Sequence, residues 1–188
     1  MLKQLSDPDD DFVRALPAER FFMIWDLTSE IWSLSDPEHV QRRLKEMLSL
    51  LIANRVKFLV VGAYALGVYG YPRATGDVDI WVECSKENSQ RIYDSLVAFG
   101  APISPLTPQT FMEPGIVFQI GVAPRRIDFL TKIDGVGFVE AYEDKEEFEL
   151  DGLMIPFLSK GHLIRNKEST GREKDKLDAR QLKEHLDQ

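Results

Sequence analysis

One stretch of the sequence, residues 57–82, sets the strongest limits on the fold. A short and largely apolar run at 57–61 is typical of a buried strand, and it ends at Gly62. Residues 63–69 have a short helical pattern. Polar and apolar residues then alternate over 77–82, which predicts a second strand. A strand, a tight turn, a short helix and another strand indicate an α/β domain.

The remaining patterns predict helices on both sides of this unit. Residues 1–17 are acidic and proline-punctuated, which favours a loose arm. The other predicted elements are an amphipathic helix at 20–34, a helix at 35–54 opened by Ser35 and Pro37, a helix at 85–99 closed by Gly100, an irregular connection at 101–114, strands at 117–122 and 126–130, a short helix at 138–143, a hairpin at 148–156, and helices at 159–168 and 173–186. The predicted fold class is α/β, a mixed β-sheet flanked by N- and C-terminal helices. We expect an arm and helix at 1–34 and one domain at 35–188.

Composition excludes several classes of function. The 188 residues carry 23 Lys and Arg against 31 Asp and Glu, a net charge of −8 that disfavours an extended nucleic-acid footprint. A single Cys84 and the widely spaced His39, His162 and His185 exclude a Cys/His zinc cluster. The motifs G-x-S-x-G, G-x-x-x-x-G-K-[ST] and G-x-G-x-x-G are absent. Any chemistry must therefore depend on carboxylates, glycines and basic side chains.

The sequence predicts neither a membrane span nor a secretory signal. No apolar run approaches the roughly 18 residues of a membrane helix, and the acidic residues 7–11 do not fit a signal peptide. One cysteine cannot form an internal disulfide. We therefore expect a cytoplasmic protein with no membrane partner.

The alternating strand at 77–82 places two acids on one face. Because side chains alternate along a strand, Asp77 and Asp79 share a face, about 7 Å apart at their Cα atoms. Asp128 has the same setting in the strand at 126–130, so three carboxylates meet if the two strands are neighbours. Such a group favours Mg²⁺, with Mn²⁺ as the alternative, and Asp128 can also act as a general base. The competing interpretation is a solvated surface pair.

Gly62 supplies a second element of the candidate site. At a strand-to-helix turn, the backbone N–H groups of Ala63 and Tyr64 can bind a phosphate, and glycine permits close approach of the backbone. The alternative is that Gly62 only makes a turn.

Gly62, Asp77, Asp79 and Asp128 occur in the order found in a known superfamily. The sequence resembles the nucleotidyltransferases related to DNA polymerase β, which include kanamycin nucleotidyltransferase and small bacterial standalone enzymes. Their pattern is a strand, G-[GS], a helix, D-x-[DE] and a later Asp. The run from Arg73 to Asp79 is similar to an Arg-x-Thr-x-Asp-x-Asp motif in some bacterial members, and residues 167–175 resemble their basic helix junction.

The resemblance covers about residues 40–185 and has one departure, since Ala63 stands where the family has Gly or Ser. It implies that Asp77, Asp79 and Asp128 are the catalytic metal ligands. It also implies Mg²⁺-dependent transfer of a nucleoside monophosphate from an NTP, such as ATP, to a hydroxyl, with release of pyrophosphate. Some relatives act on protein or RNA in toxin–antitoxin or phage-defence systems, and others modify small molecules, so the acceptor stays open.

Basic residues near these motifs have two interpretations. Arg73 and Thr75 can reach a phosphate or brace the acidic face, and Arg73 pairing internally with Asp77 or Asp79 is the alternative. The resemblance favours Lys167 as a phosphate ligand, whereas a charge run is usually a solvated face. Trp81 can stack on a base or simply pack.

A second function hypothesis is a catalytically silent binding module with a regulatory or antitoxin-like role. Two features motivate it: Ala63, which removes the family's small polar residue, and the apolar stripe from Phe21 to Trp32, which can dock a protein partner. If this stripe is instead buried on its own domain, it only covers the core.

Overall fold

The chain folds as helices around one sheet in a computed structural model that describes residues 12–32, 37–124 and 126–184. The helices in these ranges are α1 (Pro17–Trp32), α2 (Pro37–Ala53), α3 (Gly62–Val68), α4 (Lys86–Phe99), α5 (Phe138–Glu143), α6 (Lys160–Ser169) and α7 (Glu173–Glu184). The strands are β1 (Phe58–Val60), β2 (Asp77–Val82), β3 (Val117–Ile120), β4 (Arg126–Leu130), β5 (Glu146–Leu150) and β6 (Leu153–Phe157).

The strands form a mixed sheet in the order β3-β4-β2-β1-β6-β5. The inner strand β2 is antiparallel to β1 and parallel to β4. β1 also pairs in parallel with β6, while the edge strands β3 and β5 are antiparallel to their neighbours. The predicted α/β class with a mixed sheet is confirmed. In this strand order β2 and β4, which carry the candidate acids, lie side by side.

Residues that favour helix caps and tight turns explain why several predicted ends of helices and strands are confirmed. The Ser85 side chain accepts a hydrogen bond from the backbone of Asn88 and caps α4, and Gly100 closes that helix in a left-handed conformation. In the β5–β6 hairpin, Asp151 and Gly152 both have positive φ, 51° and 80°. Two such residues make the tight turn that matches the twist of paired strands.

Other boundaries differ by a few residues, for identifiable reasons. Helix α1 begins at Pro17 rather than residue 20, because proline is well suited to a first helical turn. The strand predicted to reach residue 122 ends at Ile120, because Gly121 turns the backbone with φ 81°. The cap predicted at Ser35 and the end of the last helix beyond residue 184 lie outside the described residues.

The described end of the N-terminal arm is attached to the domain. The backbone N–H of Val13 donates to the carbonyl of Gly70 over 2.7 Å, and the ring of Phe12 packs edge-on against Tyr71. The loose arm predicted for residues 1–17 is therefore wrong for Phe12 and Val13, and Pro17 already belongs to α1. Residues 1–11 lie outside the described ranges.

Helix α1 buries its apolar stripe in the same core as the sheet. Phe21, Ile24 and Trp25 are buried, and the rings of Phe21 and Trp25 contact Tyr64 of α3. The described part of the stripe therefore has the core-covering role weighed as the alternative to a docking surface. The boundary predicted at 34/35 lies within undescribed residues. No helix in the described ranges is long and apolar enough to cross a membrane.

If α1 is an integral part of the domain, Ile24→Ala should lower the free energy of unfolding by about 2–5 kcal/mol, because it leaves a cavity where α1 meets α3. Ile24 is 0% exposed, whereas the adjacent Met23 is 36% exposed. Met23→Ala is the matched control and should change stability by about 0.5 kcal/mol or less. Urea denaturation measures both, and equal losses would contradict the packing described for α1.

Candidate metal centre

Three carboxylates meet on one face of the sheet. The parallel register of β2 and β4 places Asp79 beside Asp128 and Asp77 beside Arg126. One ligand oxygen from each of Asp77, Asp79 and Asp128 lies within 4.8 Å of the others. The convergence expected from strand alternation is therefore present, and these three residues can hold a metal ion.

Neighbouring side chains hold two of the three carboxylates in place. Thr75 donates its hydroxyl proton to Asp77 Oδ1 over 3.0 Å, and Arg126 binds the other oxygen of Asp77. Asp128, only 5% exposed, accepts from Arg126 Nε at 2.8 Å and from Gln119 Nε2 at 2.9 Å. Each of these two carboxylates thus has one bond to Arg126 and one to a neutral donor.

Sequence reasoning missed Arg126 and Gln119. Arg126 precedes Asp128 by two positions on the same strand, so the alternation that assigned the acid to this face assigns the arginine to it as well. Gln119 lies opposite Asp128 across the antiparallel β3–β4 pair. Its role depends on the strand register, which the sequence pattern leaves open.

Asp79 is the least compensated of the three acids. No described residue donates a hydrogen bond to its carboxylate. Burial, and then the negative charges of Asp77 and Asp128, raise its pKa to about 6, against smaller opposing effects of Lys167 and Arg126. The ionised form of Asp79 is therefore held at a cost in free energy, which a bound cation would relieve.

Gly62 is the point where helix α3 meets the acidic face. It has φ +65°, and a Cβ atom at this position would lie 2.0 Å from Asp79 Oδ2. Val61, the N-cap residue, offers no side-chain hydrogen bond to the first turn of α3. The backbone N–H groups of Ala63 and Tyr64, predicted to bind phosphate, therefore belong to an uncapped turn next to Asp79.

The side chains of Ala63 and Tyr64, in the first turn of α3, are buried in the core. Ala63 is buried, and the Tyr64 ring packs between Phe21 and Trp25. Burial, with a smaller contribution from Asp77, raises the pKa of Tyr64 well above its usual value, so its hydroxyl stays neutral. Only the backbone of Ala63 and Tyr64 is available to an anion.

Lys167 and Arg73 are both engaged in ion pairs with the C-terminal helix α7. The buried Lys167 Nζ lies 2.6 Å from Asp175 and 3.1 Å from Asp178, and Arg73 is 3.1 Å from Asp178. Bonds from Lys167 and Thr170 outweigh burial and lower the pKa of Asp175. Arg73 is thus paired internally, but not with Asp77 or Asp79. Phosphate contacts by Lys167 and Arg73 stay predictions.

Trp81, on the same face of β2 as the acids, packs inside the protein. It is 2% exposed, and its ring meets Phe138 edge-on with centroids 5.0 Å apart. The packing interpretation is confirmed, and stacking of Trp81 on a base is wrong for this structure.

The donor set at the acidic face fits a hard divalent cation. All three ligand groups are carboxylates, the oxygen donors that suit Mg²⁺ and Mn²⁺. With the three acids ionised, this face carries three negative charges, of which Arg126 compensates one in this structure.

Comparison with known proteins assigns no family. No family model matches this chain, and no curated protein matches it.

Gly62→Ala should destabilise the protein more than Gly100→Ala does. Both glycines have positive φ, 65° and 76°, but a Cβ at Gly100 meets nothing within 4 Å. Gly100→Ala should cost about 1–2 kcal/mol for the backbone alone, and Gly62→Ala about 1 kcal/mol or more beyond that, because Asp79 must move. Urea denaturation measures the difference. It should shrink in an Asp79→Ala background, which removes the oxygen at 2.0 Å, and an unchanged difference there would contradict a clash with the Asp79 carboxylate.

Asp79→Asn should stabilise the protein when divalent cations are removed with EDTA. Because folding raises the pKa of Asp79 from 3.8 to about 6, the folded state binds more protons between these values, and stability falls as pH rises through them. The asparagine variant avoids this loss, so its advantage should grow from pH 4 to pH 6 and reach about 1–3 kcal/mol above pH 7.

Denaturation at several pH values provides the measurement for Asp79→Asn. The control is Asp94→Asn, on the exposed side of α4, where the carboxylate accepts a bond from Gln90. A stabilisation by Asp79→Asn that is equal at pH 4 and pH 7.5 would show that ionisation of Asp79 is not its source.

Proposed function

We propose that this chain is a Mg²⁺-dependent nucleotidyltransferase that transfers a nucleoside monophosphate from an NTP to a hydroxyl group. The observation that carries the proposal is the convergence of Asp77, Asp79 and Asp128 from two parallel strands, next to the turn at Gly62. The mixed sheet, with the acids on neighbouring inner strands, supports a nucleotidyltransferase fold. The order of these residues in the sequence supports the same assignment.

Asp77, Asp79 and Asp128 would hold the cation, with Mn²⁺ as the alternative to Mg²⁺. When bound, the ion supplies charge neutralisation for the triphosphate and for the leaving pyrophosphate. The chain itself orients the ligands: Thr75 fixes one oxygen of Asp77, and Gln119 fixes one oxygen of Asp128. This positioning matters because phosphoryl transfer depends mainly on alignment and electrostatics.

The reaction exchanges one phosphorus–oxygen bond for another. The acceptor oxygen bonds to the α-phosphorus, and the bond from that phosphorus to the oxygen bridging the α- and β-phosphates breaks, so that pyrophosphate leaves with the electron pair. The acceptor proton passes to Asp128. Both oxygens of Asp128 already accept hydrogen bonds, but each carboxylate oxygen has room for a second one.

The turn at Gly62 supports binding of the phosphates. The uncapped N–H groups of Ala63 and Tyr64 are donors beside Asp79, and such donors suit an anion. Lys167 and Arg73 would contribute only if they exchanged their present partners on α7.

A silent binding module is the second candidate, and one contact favours it. Arg126 already neutralises part of the acidic face by bonding to Asp77 and Asp128. Calorimetry with NTPs and Mg²⁺ separates the candidates, since a silent module that has lost the site would bind neither.

Asp77→Asn and Asp79→Asn should each reduce nucleotidyl transfer by at least about a hundredfold, because each removes a carboxylate ligand from the cation. Transfer is measured with Mg²⁺ and the four NTPs labelled at the α-phosphate, followed as labelled product and released pyrophosphate. Asp94→Asn is the matched control and should keep wild-type activity. Equal activity in all of these proteins would contradict a catalytic role for the acids.

A further inference from the structure

Arg126 bonds to two of the three carboxylates that converge on the acidic face. Its guanidinium bridges Asp77 and Asp128, with Nε 2.8 Å from Asp128 Oδ1 and the second amino group on Asp77 Oδ2. Both acids are among the three residues whose oxygens converge. The arginine therefore uses the same carboxylates that would coordinate a metal.

We propose that Arg126 is a displaceable counterion, which holds the metal-free site together and must release Asp77 and Asp128 before a divalent cation can bind. The inference rests on the metal site of the proposed function and adds Arg126 as a competitor of the metal ion for Asp77 and Asp128. Metal affinity is then lower than three converging carboxylates would otherwise provide.

The surroundings of Arg126 allow it to leave. It is the first residue of β4, and its side chain is 29% exposed, whereas that of Asp128 is 7% exposed. Rotation about its side-chain bonds can therefore move the guanidinium into water while Asp128 stays in place. A charged group that can return to solvent loses little hydration, so it avoids most of the desolvation cost of a buried ion.

The two carboxylates keep a donor after Arg126 has left. Thr75 still bonds Asp77 Oδ1, and Gln119 still bonds Asp128 Oδ2. Both donors are neutral, so they orient the carboxylates without repelling a cation. The site thus has fixed neutral donors and one mobile positive charge, which is the arrangement that exchange of counterions requires.

Mn²⁺ titration without nucleotide, followed by electron paramagnetic resonance of the free ion, tests the competition. Arg126→Gln should bind Mn²⁺ about tenfold more tightly than the wild type, since a full charge is removed. Arg126→Lys keeps the charge but cannot bridge the two acids with separate nitrogen donors. Its affinity for Mn²⁺ should lie between those of the wild type and Arg126→Gln, and it serves as the variant that preserves the fold. Arg91→Gln on α4 makes the same charge change in a residue paired with Glu87 and should bind Mn²⁺ within twofold of the wild type.

The Nε–H signal of Arg126 in ¹H–¹⁵N spectra tests displacement directly. It is assigned by its loss in Arg126→Lys, and it should shift as Mg²⁺ is added to the wild type, with the same midpoint as metal binding. Metal binding that leaves this signal unchanged, or an Arg126→Gln variant that binds Mn²⁺ no better than the wild type, overturns the inference and leaves the metal site standing. If neither protein binds Mn²⁺ in a manner that Asp79→Asn abolishes, the inference and the metal site of the proposed function both fail.

Discussion

Repulsion among three carboxylates is the constraint on which the rest of this structure depends. Asp77, Asp79 and Asp128 are kept within 4.8 Å because their strands are parallel, adjacent and in register. Alternate residues of those strands, such as Ile80 and Phe129, are fully buried, so the acids cannot separate without disturbing the core. The repulsion is met locally, by hydrogen bonds to Asp77 and Asp128, and it is least compensated at Asp79, where only the more distant charges of Lys167 and Arg126 oppose it among the described residues. Hydrogen bonds hold Asp77 and Asp128, whereas the charge of Asp79 is poorly compensated. A bound cation would therefore stabilise the site.

A second charged cluster connects the C-terminal helices to the same region. Lys167 on α6 pairs with Asp175 and Asp178 on α7, and Asp178 also pairs with Arg73 in the segment before β2. Buried pairs of this kind contribute little net stability, but loss of one partner is costly because it leaves a buried charge alone. The cluster therefore fixes how α7 sits against the approach to β2. The positive charge of Lys167 also opposes the rise in the pKa of Asp79. It therefore acts on the acidic face, although the ammonium group itself is bonded to acids of α7.

The parts of the molecule that sequence could predict are those set by neighbours along the chain. Alternation in 77–82 determines that Asp77 and Asp79 share a face, and the turn residues Ser85, Gly100 and Gly152 mark the ends of elements. What depends on register or on distant packing could not be predicted. The partner of Arg73 lies 105 positions away, Gln119 meets Asp128 only through the β3–β4 pairing, and Trp81 is buried because α5 covers it. Arg126 is the exception, because the same alternation that places Asp128 on the acidic face also places Arg126 there.

The position of Arg126 changes what the net charge of −8 means for the nucleotide substrate of the proposed function. With only acids at the site, the protein would repel a nucleotide until a cation bound. With Arg126 between Asp77 and Asp128, the metal-free face carries less negative charge, and a cation that displaces the guanidinium leaves a positive group free close to the site. Arginine binds phosphate oxygens well because its planar donors match their geometry. Displacement would then turn one charge from holding Asp77 and Asp128 together to attracting the polyphosphate, so metal and nucleotide would favour each other's binding.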